Sequence, residues 1–242
     1  MMQHFSLSAG VGTTGLTLDA GAALGRNISL RGGIDYMPKF KYSTDLTLTV
    51  VNQTQELDMS QVPVRKVEVT GTLHNTTGHV LLDIYPSEEH GFHITLGAYI
   101  ARGKVIDVTS EDNELLKKVA DLNARRGDFA DIPMSYGQVA AKLGDYNIMP
   151  DDDGHAQAYM KIRKVRPYLG AGFGRAVPSE SGLKCLFDVG VQFLGKPRVY
   201  NGVNGQELTA EGVRGEDGGI LKFATGVSLY PVLSFRLVGK LF

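Results

Sequence analysis

Phe223-Ala224-Thr225-Gly226-Val227-Ser228-Leu229-Tyr230-Pro231-Val232-Leu233-Ser234-Phe235-Arg236-Leu237-Val238-Gly239-Lys240-Leu241 keeps a single alternation from end to end. Phe223, Val227, Leu229, Leu233, Phe235, Leu237 and Leu241 share one parity, and Lys222, Gly226, Ser228, Ser234, Arg236 and Lys240 share the other. Period two is the signature of an extended strand. Strands of soluble proteins centre on about 5 to 6 residues. A tilted strand that crosses a bilayer needs about 9 to 11. The stretch from Leu221 to Phe242 therefore reads as the closing strand of a membrane β-barrel.

Working back from it, the same alternation recurs. Phe5, Leu7, Ala9 and Val11 face away from Ser6, Ser8, Gly10 and Gly12. Apolar parity then switches to Leu16, Leu18, Ala20 and Ala22, which places a turn or bulge at Thr13-Thr14-Gly15. Further segments run from Ile28 to Tyr36, Lys66 to Pro86, Phe92 to Ile100, Val165 to Gly174 and Lys184 to Phe193. Parity switches again near Asn75-Thr76-Thr77-Gly78, as a bulged strand or a hairpin would make it do. About eight strands follow, at roughly 4–12, 15–25, 28–38, 66–86, 91–103, 160–175, 183–195 and 220–242, or ten if 75–78 is a hairpin. The expected architecture is all-β: one antiparallel up-and-down transmembrane barrel domain over 1–242.

Composition agrees without deciding. The 43% hydrophobic content is that of an ordinary globular chain, and alternating barrel strands average to the same value. No run reaches the roughly 20 apolar residues of a membrane helix. A net charge of −1 supplies no field for nucleic acid. The 30 glycines lie largely within strand-like segments, on the polar parity. A solvated sheet face would carry long polar side chains there; glycine, serine and alanine instead suit the crowded interior of a narrow barrel. Asp19, Arg31, Asp35, Asp83, Arg166, Asp188 and Arg236 share that parity, and buried charges of both signs must pair, so an ionic ladder in the lumen is expected.

The sequence resembles a family of small outer-membrane barrels of Gram-negative bacteria, loosely grouped with OmpA-like and OmpW-like proteins. The resemblance rests on Leu81-Leu82-Asp83-Ile84-Tyr85-Pro86 with Phe92 to Gly103, on Arg166-Pro167-Tyr168-Leu169-Gly170-Ala171-Gly172-Phe173-Gly174, on Phe187-Asp188-Val189-Gly190-Val191, and on Tyr230-Pro231-Val232-Leu233-Ser234. It implies insertion into outer-membrane lipid by the barrel-assembly machinery, which reads a terminal aromatic residue, here Phe242. In the family that aromatic keeps the apolar parity, which here falls on Leu241; a bulge near Gly239 or a less strict reading of the signal would reconcile the two. It also implies a bacterial outer-membrane location, so a signal peptide must have been lost, because Met1 to Phe5 does not form one. Both termini and the turns at Gly25–Asn27, Ser87–Gly91 and Pro178–Gly182 then face the periplasm, and loops 39–65, 104–159 and 196–219 face outward.

Motifs that could carry chemistry are weak. Gly10-x-Gly12-x-x-Gly15 with Asp35 about 20 residues on matches a dinucleotide fingerprint, a distant alternative as a soluble enzyme, but the flanking segments alternate where that fold needs a buried strand and a helix. His90-x-x-His93 beside Glu88 and Glu89 reads as a solvated turn, Asp151-Asp152-Asp153-Gly154 lacks the spaced ligands of a calcium loop, and Cys185 sits on the apolar parity. No catalytic set, cofactor or metal is expected. In loop 104–159, Glu111 to Arg126 has an apolar stripe at Leu115, Val119 and Leu122, and Ser135-x-x-Gln138 could cap a second helix through Leu143. That loop is the expected meeting point for an extracellular partner. Two function classes stand: a structural or interaction barrel with a filled lumen, and a narrow conduit for small or apolar solutes.

Overall fold

The computed structural model describes residues 4–52, 54–55, 66–110, 113–143, 146–208 and 228–241. In chain order its strands are β1 (Phe5–Gly12), β2 (Gly15–Ala23), β3 (Ile28–Val51), β4 (Lys66–Ile84), β5 (His93–Ala101), β6 (Lys104–Ser110), β7 (Gln138–Leu143), β8 (Tyr146–Ile148), β9 (Gln157–Lys161), β10 (Val165–Phe173), β11 (Leu183–Phe193), β12 (Arg198–Asn201) and β13 (Leu229–Lys240). One helix, α1 (Asn113–Asn123), lies between β6 and β7. Eight of the strands close a ring, β1-β2-β3-β4-β5-β10-β11-β13, and β13 pairs antiparallel with both β11 and β1. This is the up-and-down antiparallel barrel. β4 runs unbroken through Asn75 and Gly78, so the wall has eight strands and not ten.

The faces are inverted relative to a soluble protein. Leu18, Ile34 and Phe173 are 68%, 58% and 64% exposed on the outside, while Arg31, Asp83 and Arg236 are 1% or less exposed within. Apolar side chains outward and charges inward is the arrangement that a hydrocarbon surrounding demands.

Above the barrel the polarity reverses. β3 and β4 extend well past the other strands and become the centre of a second sheet, in the order β12-β9-β6-β4-β3-β7-β8. There Leu46, Leu48, Val67 and Val69 are buried in an apolar core with Val108, Met160 and Val199, and α1 adds Leu116, Val119 and Leu122. In β4, Val67 and Val69 have the same parity as Thr77, His79 and Asp83, which point into the barrel. The switch of residue type near Asn75 therefore marks a change of interior, from polar lumen to apolar core. In β3 a bulge between Met37 and Phe40 inserts one residue, which carries the inward side from odd to even positions.

This cap corrects several expectations. Residues 39–51 are strand, not loop, and 104–110, 138–143, 146–148 and 157–161 are strand within the expected loop. A second helix through Leu143 does not form: Met134–Tyr136 is one 3-10 turn, and Gln138–Leu143 is β7, paired with β3. β6, β7, β9 and β12 gain ladders from strands distant in sequence, so local periodicity does not reveal them. The start of the expected closing strand, residues 221–227, and Phe242 lie outside the described residues, as does the beginning of the expected helix at Glu111.

Candidate functional site

The barrel interior begins with glycine. A Cβ on Gly33 would stand 2.1 Å from Asp19 Oδ1, and one on Gly172 would stand 2.6 Å from His93 Nε2 and 2.8 Å from Asp188 Oδ1. Gly170 and Gly190 make the same room for the Tyr168 hydroxyl. The glycine-rich inner parity is thus the space into which the charged side chains reach.

Those charges form one connected set. Arg31 on β3 binds Asp83 through Nε at 2.7 Å and Nη2 at 2.7 Å, and Asp188 through Nη1 at 2.8 Å and Nη2 at 3.0 Å. Arg236 on β13 reaches Asp188 with Nη1 at 2.5 Å and Asp19 with Nε at 2.8 Å. His79 bridges Asp19 and Asp35, each at 2.7 Å, and His93 places Nε2 2.9 Å from Asp188 and Nδ1 3.1 Å from the Gly91 carbonyl. Thr14 and Thr17 donate to Asp35, and Thr95 donates to Asp83. Both nitrogens of each imidazole face acceptors. Four carboxylates, of Asp19, Asp35, Asp83 and Asp188, thus meet two guanidinium groups and two imidazoles in one buried set.

Arg166 stands apart. It is 3% exposed and on the inner face, but its contacts are the Arg163 carbonyl at 3.3 Å and Gln192 Oε1 at 3.5 Å, with no carboxylate among the described residues. Asp35 pairs with a histidine and two threonines where an arginine was expected. The sequence reading did not single out His79, and it put His93 in a solvated turn; His93 is fully buried at the start of β5. Parity could have found both, because His79 alternates with Leu81 and Asp83, and His93 alternates with Thr95.

An apolar cluster of Leu81, Tyr99, Tyr168 and Val232 occupies more of the interior. At the end bearing the short turns, residues 174–182 fold under the barrel. There Ala176 and Val177 are buried, the Tyr85 hydroxyl accepts from Ala176 N at 2.9 Å, and Ser6 donates to the Ala176 carbonyl.

The other candidate motifs resolve structurally. Gly10 and Gly12 lie on β1, where a Cβ would meet the β13 backbone at 2.2 and 2.3 Å, and the segment after Gly15 is a strand, so the dinucleotide reading is excluded. Asp83, His93 and Asp188 lie close enough to hold a metal ion, but the Arg31 guanidinium already bonds both carboxylates and is the cation of that cluster. Asp151 accepts from the backbone of Asp153 and His155 as a turn clasp, and Asp152 pairs with Arg126. His90 contacts Ser87 in an exposed turn, and Cys185 is exposed on the outer wall.

No family model and no curated protein matches the chain. Two solved structures are similar in outline, CarO and CarO2 of Acinetobacter baumannii. CarO is 15% identical over 98% of this chain and 96% of its own, with a TM-score of 0.47; CarO2 is 14% identical over 99% and 98%, with a TM-score of 0.49. Likeness at that level carries no argument about what this chain does, and the barrel rests on its own strand ladders.

Proposed function

We propose that this chain is a non-enzymatic outer-membrane barrel of the OmpA-like and OmpW-like kind, with a closed lumen, that acts through its cap. The observation that carries the reading is the division of the interior. The barrel half holds a connected ionic set and aromatic side chains, which supports a filled lumen, while among the described residues the sheet and helix mounted on β3 and β4 are the most elaborated surface. A proposed orientation follows from the topology. Both termini face the periplasm, so the cap, with residues 104–161 as its largest part, stands outside the cell as the surface that meets a partner.

Planar-bilayer recording tests it. The reconstituted chain is expected to give no stepwise conductance, and to remain closed when Asp188 and Arg236 are intact but the cap is shortened. Regular single-channel steps from the intact chain would replace this reading with that of a narrow conduit.

A further inference from the structure

Three segments lie side by side where the barrel meets the cap: 101–104 after β5, 161–164 before β10, and 194–198 after β11. They are joined by Ala101 N to the Lys164 carbonyl at 2.9 Å, Ile162 N to the Gly103 carbonyl at 2.8 Å, and Arg163 N to the Leu194 carbonyl at 3.1 Å. Each is basic. Arg102, Lys161, Arg163, Lys164 and Lys196 are all exposed, and among the described residues none of these five faces an acidic side chain. Two more cations on the same rim, Lys104 and Arg198, do have acidic partners, in Asp107 and Glu207. At the opposite end of the barrel the cations are engaged one by one: Arg26 faces Glu88 at 3.7 Å, Lys184 faces Glu180 at 2.9 Å, and Arg175 and Lys240 bond backbone carbonyls.

Height decides what the patch can meet. The last outward apolar residues on these strands are Ile100, Val165 and Phe193, at 50%, 55% and 42% exposure. The five cations begin within about one to four residues of them, which at roughly 3.3 Å per residue and barrel tilt is about 2–10 Å above the apolar belt. A headgroup layer occupies about 5–8 Å beyond the hydrocarbon. The cations are therefore level with lipid headgroups. The local backbone also gathers them. A Cβ on Gly195 would stand 2.5 Å from Arg163 Nε, and one on Gly103 would stand 3.4 Å from Lys164 Cγ, so both side chains lie across a neighbouring segment. Lys161 sits over the stacked rings of Tyr159 and Tyr200, an aromatic pair suited to the interface.

We infer that this rim patch binds the phosphate groups of an outer-leaflet glycolipid. The inference rests on the outer-membrane reading. The occupant is a lipid and not free phosphate, because among the described residues the patch is an open surface of exposed side chains. There a free ion is screened by salt, whereas a membrane lipid is held at high local concentration.

The test uses the full chain folded in detergent and in dimyristoylphosphatidylcholine vesicles. Probes are diphosphoryl lipid A, its dephosphorylated form and inorganic phosphate. The chain should retain diphosphoryl lipid A about tenfold or more better than the dephosphorylated form, and inorganic phosphate at equal concentration should not displace it. A variant with R102Q, K161Q, R163Q, K164Q and K196Q should lose that preference. Should the variant not fold, a salt titration of the unaltered chain decides, since phosphate recognition must weaken steeply as salt rises. Equal retention of both lipid forms, an unchanged variant, salt-insensitive binding or displacement by inorganic phosphate each overturns the inference. Such results leave the membrane reading standing if the chain inserts into the neutral vesicles; failure to insert there removes both.

Discussion

Replacing Asp188 by asparagine removes one negative charge from the barrel interior and hardly changes its shape. Both Asp188 oxygens accept from several donors: Oδ2 faces Arg31, Arg236 and the Ser234 hydroxyl at 2.8, 2.5 and 3.4 Å, and Oδ1 faces Arg31 and His93 at 3.0 and 2.9 Å. Asparagine offers one acceptor oxygen and turns an NH2 group toward donors. Arg31, Arg236 and His93 lose the carboxylate that they share, inside the buried set. Breaking a buried pair in this way costs about 3–5 kcal/mol. With a urea slope of about 2 kcal/mol per molar, the unfolding midpoint in detergent should fall by roughly 2 M. The assay is the loss of the heat-resistant compact band against urea concentration. Adding Arg236→Met to Asp188→Asn should cost less than the sum of the two single changes, because both remove the same Arg236–Asp188 contact. A midpoint drop below about 0.5 M would mean that water reaches the network, and the closed-lumen reasoning would be wrong.

Other expectations follow from single contacts. Arg166→Met should change stability by less than about 1 kcal/mol, or raise it, since no acidic partner is lost; a loss comparable to that of Asp188→Asn in the same urea assay would reveal a charge partner for it. Gly172→Val should abolish the heat-resistant band, because its Cβ alone would stand 2.3 Å from the Phe187 carbonyl and 2.6 Å from His93 Nε2. Leu122→Ala should cost about 2–5 kcal/mol within the cap only, seen as faster protease cleavage there while the barrel band persists; loss of that band would show that cap and barrel fold as one unit. Replacing 104–161 by a short turn and trimming β3 and β4 to residues 37 and 75 should leave a folded barrel, checked by the same gel shift.

Legibility in the sequence followed the physics of each region. β1, β2 and β13 could be read because one side meets lipid and the other a polar interior, which writes strict alternation into residues such as Leu16-Thr17-Leu18-Asp19. Asp19, Asp83 and Asp188 were placed inside by parity alone, although their partners depend on distant strands: Arg31 joins two acids 52 and 157 residues away. The cap was obscure for the opposite reason. Its strands are as short as Tyr146–Ile148, and Val139 and Ala141 are buried against residues that no local pattern connects to them. The side chain of Asn123 fixes α1 to β7 through Val139 N and O at 2.6 and 2.8 Å, and a lone asparagine gives no such sign in a sequence. Phe242 belongs to the part that the structure does not describe.

The position of Arg236 bears on how such a barrel is completed. It sits on β13, the last strand to be made, and joins Asp188 on the neighbouring β11 to Asp19, which lies beyond the seam on β2. Before β13 meets β1, the half-built sheet holds more carboxylate than it can neutralise, and its open edges repel one another. Docking of the final strand delivers the missing cation as the last ladder of hydrogen bonds forms. Charge pairing and mechanical closure then arrive in one event, so a wrongly registered seam is penalised twice, once in the backbone and once in the carboxylates it leaves without their arginine.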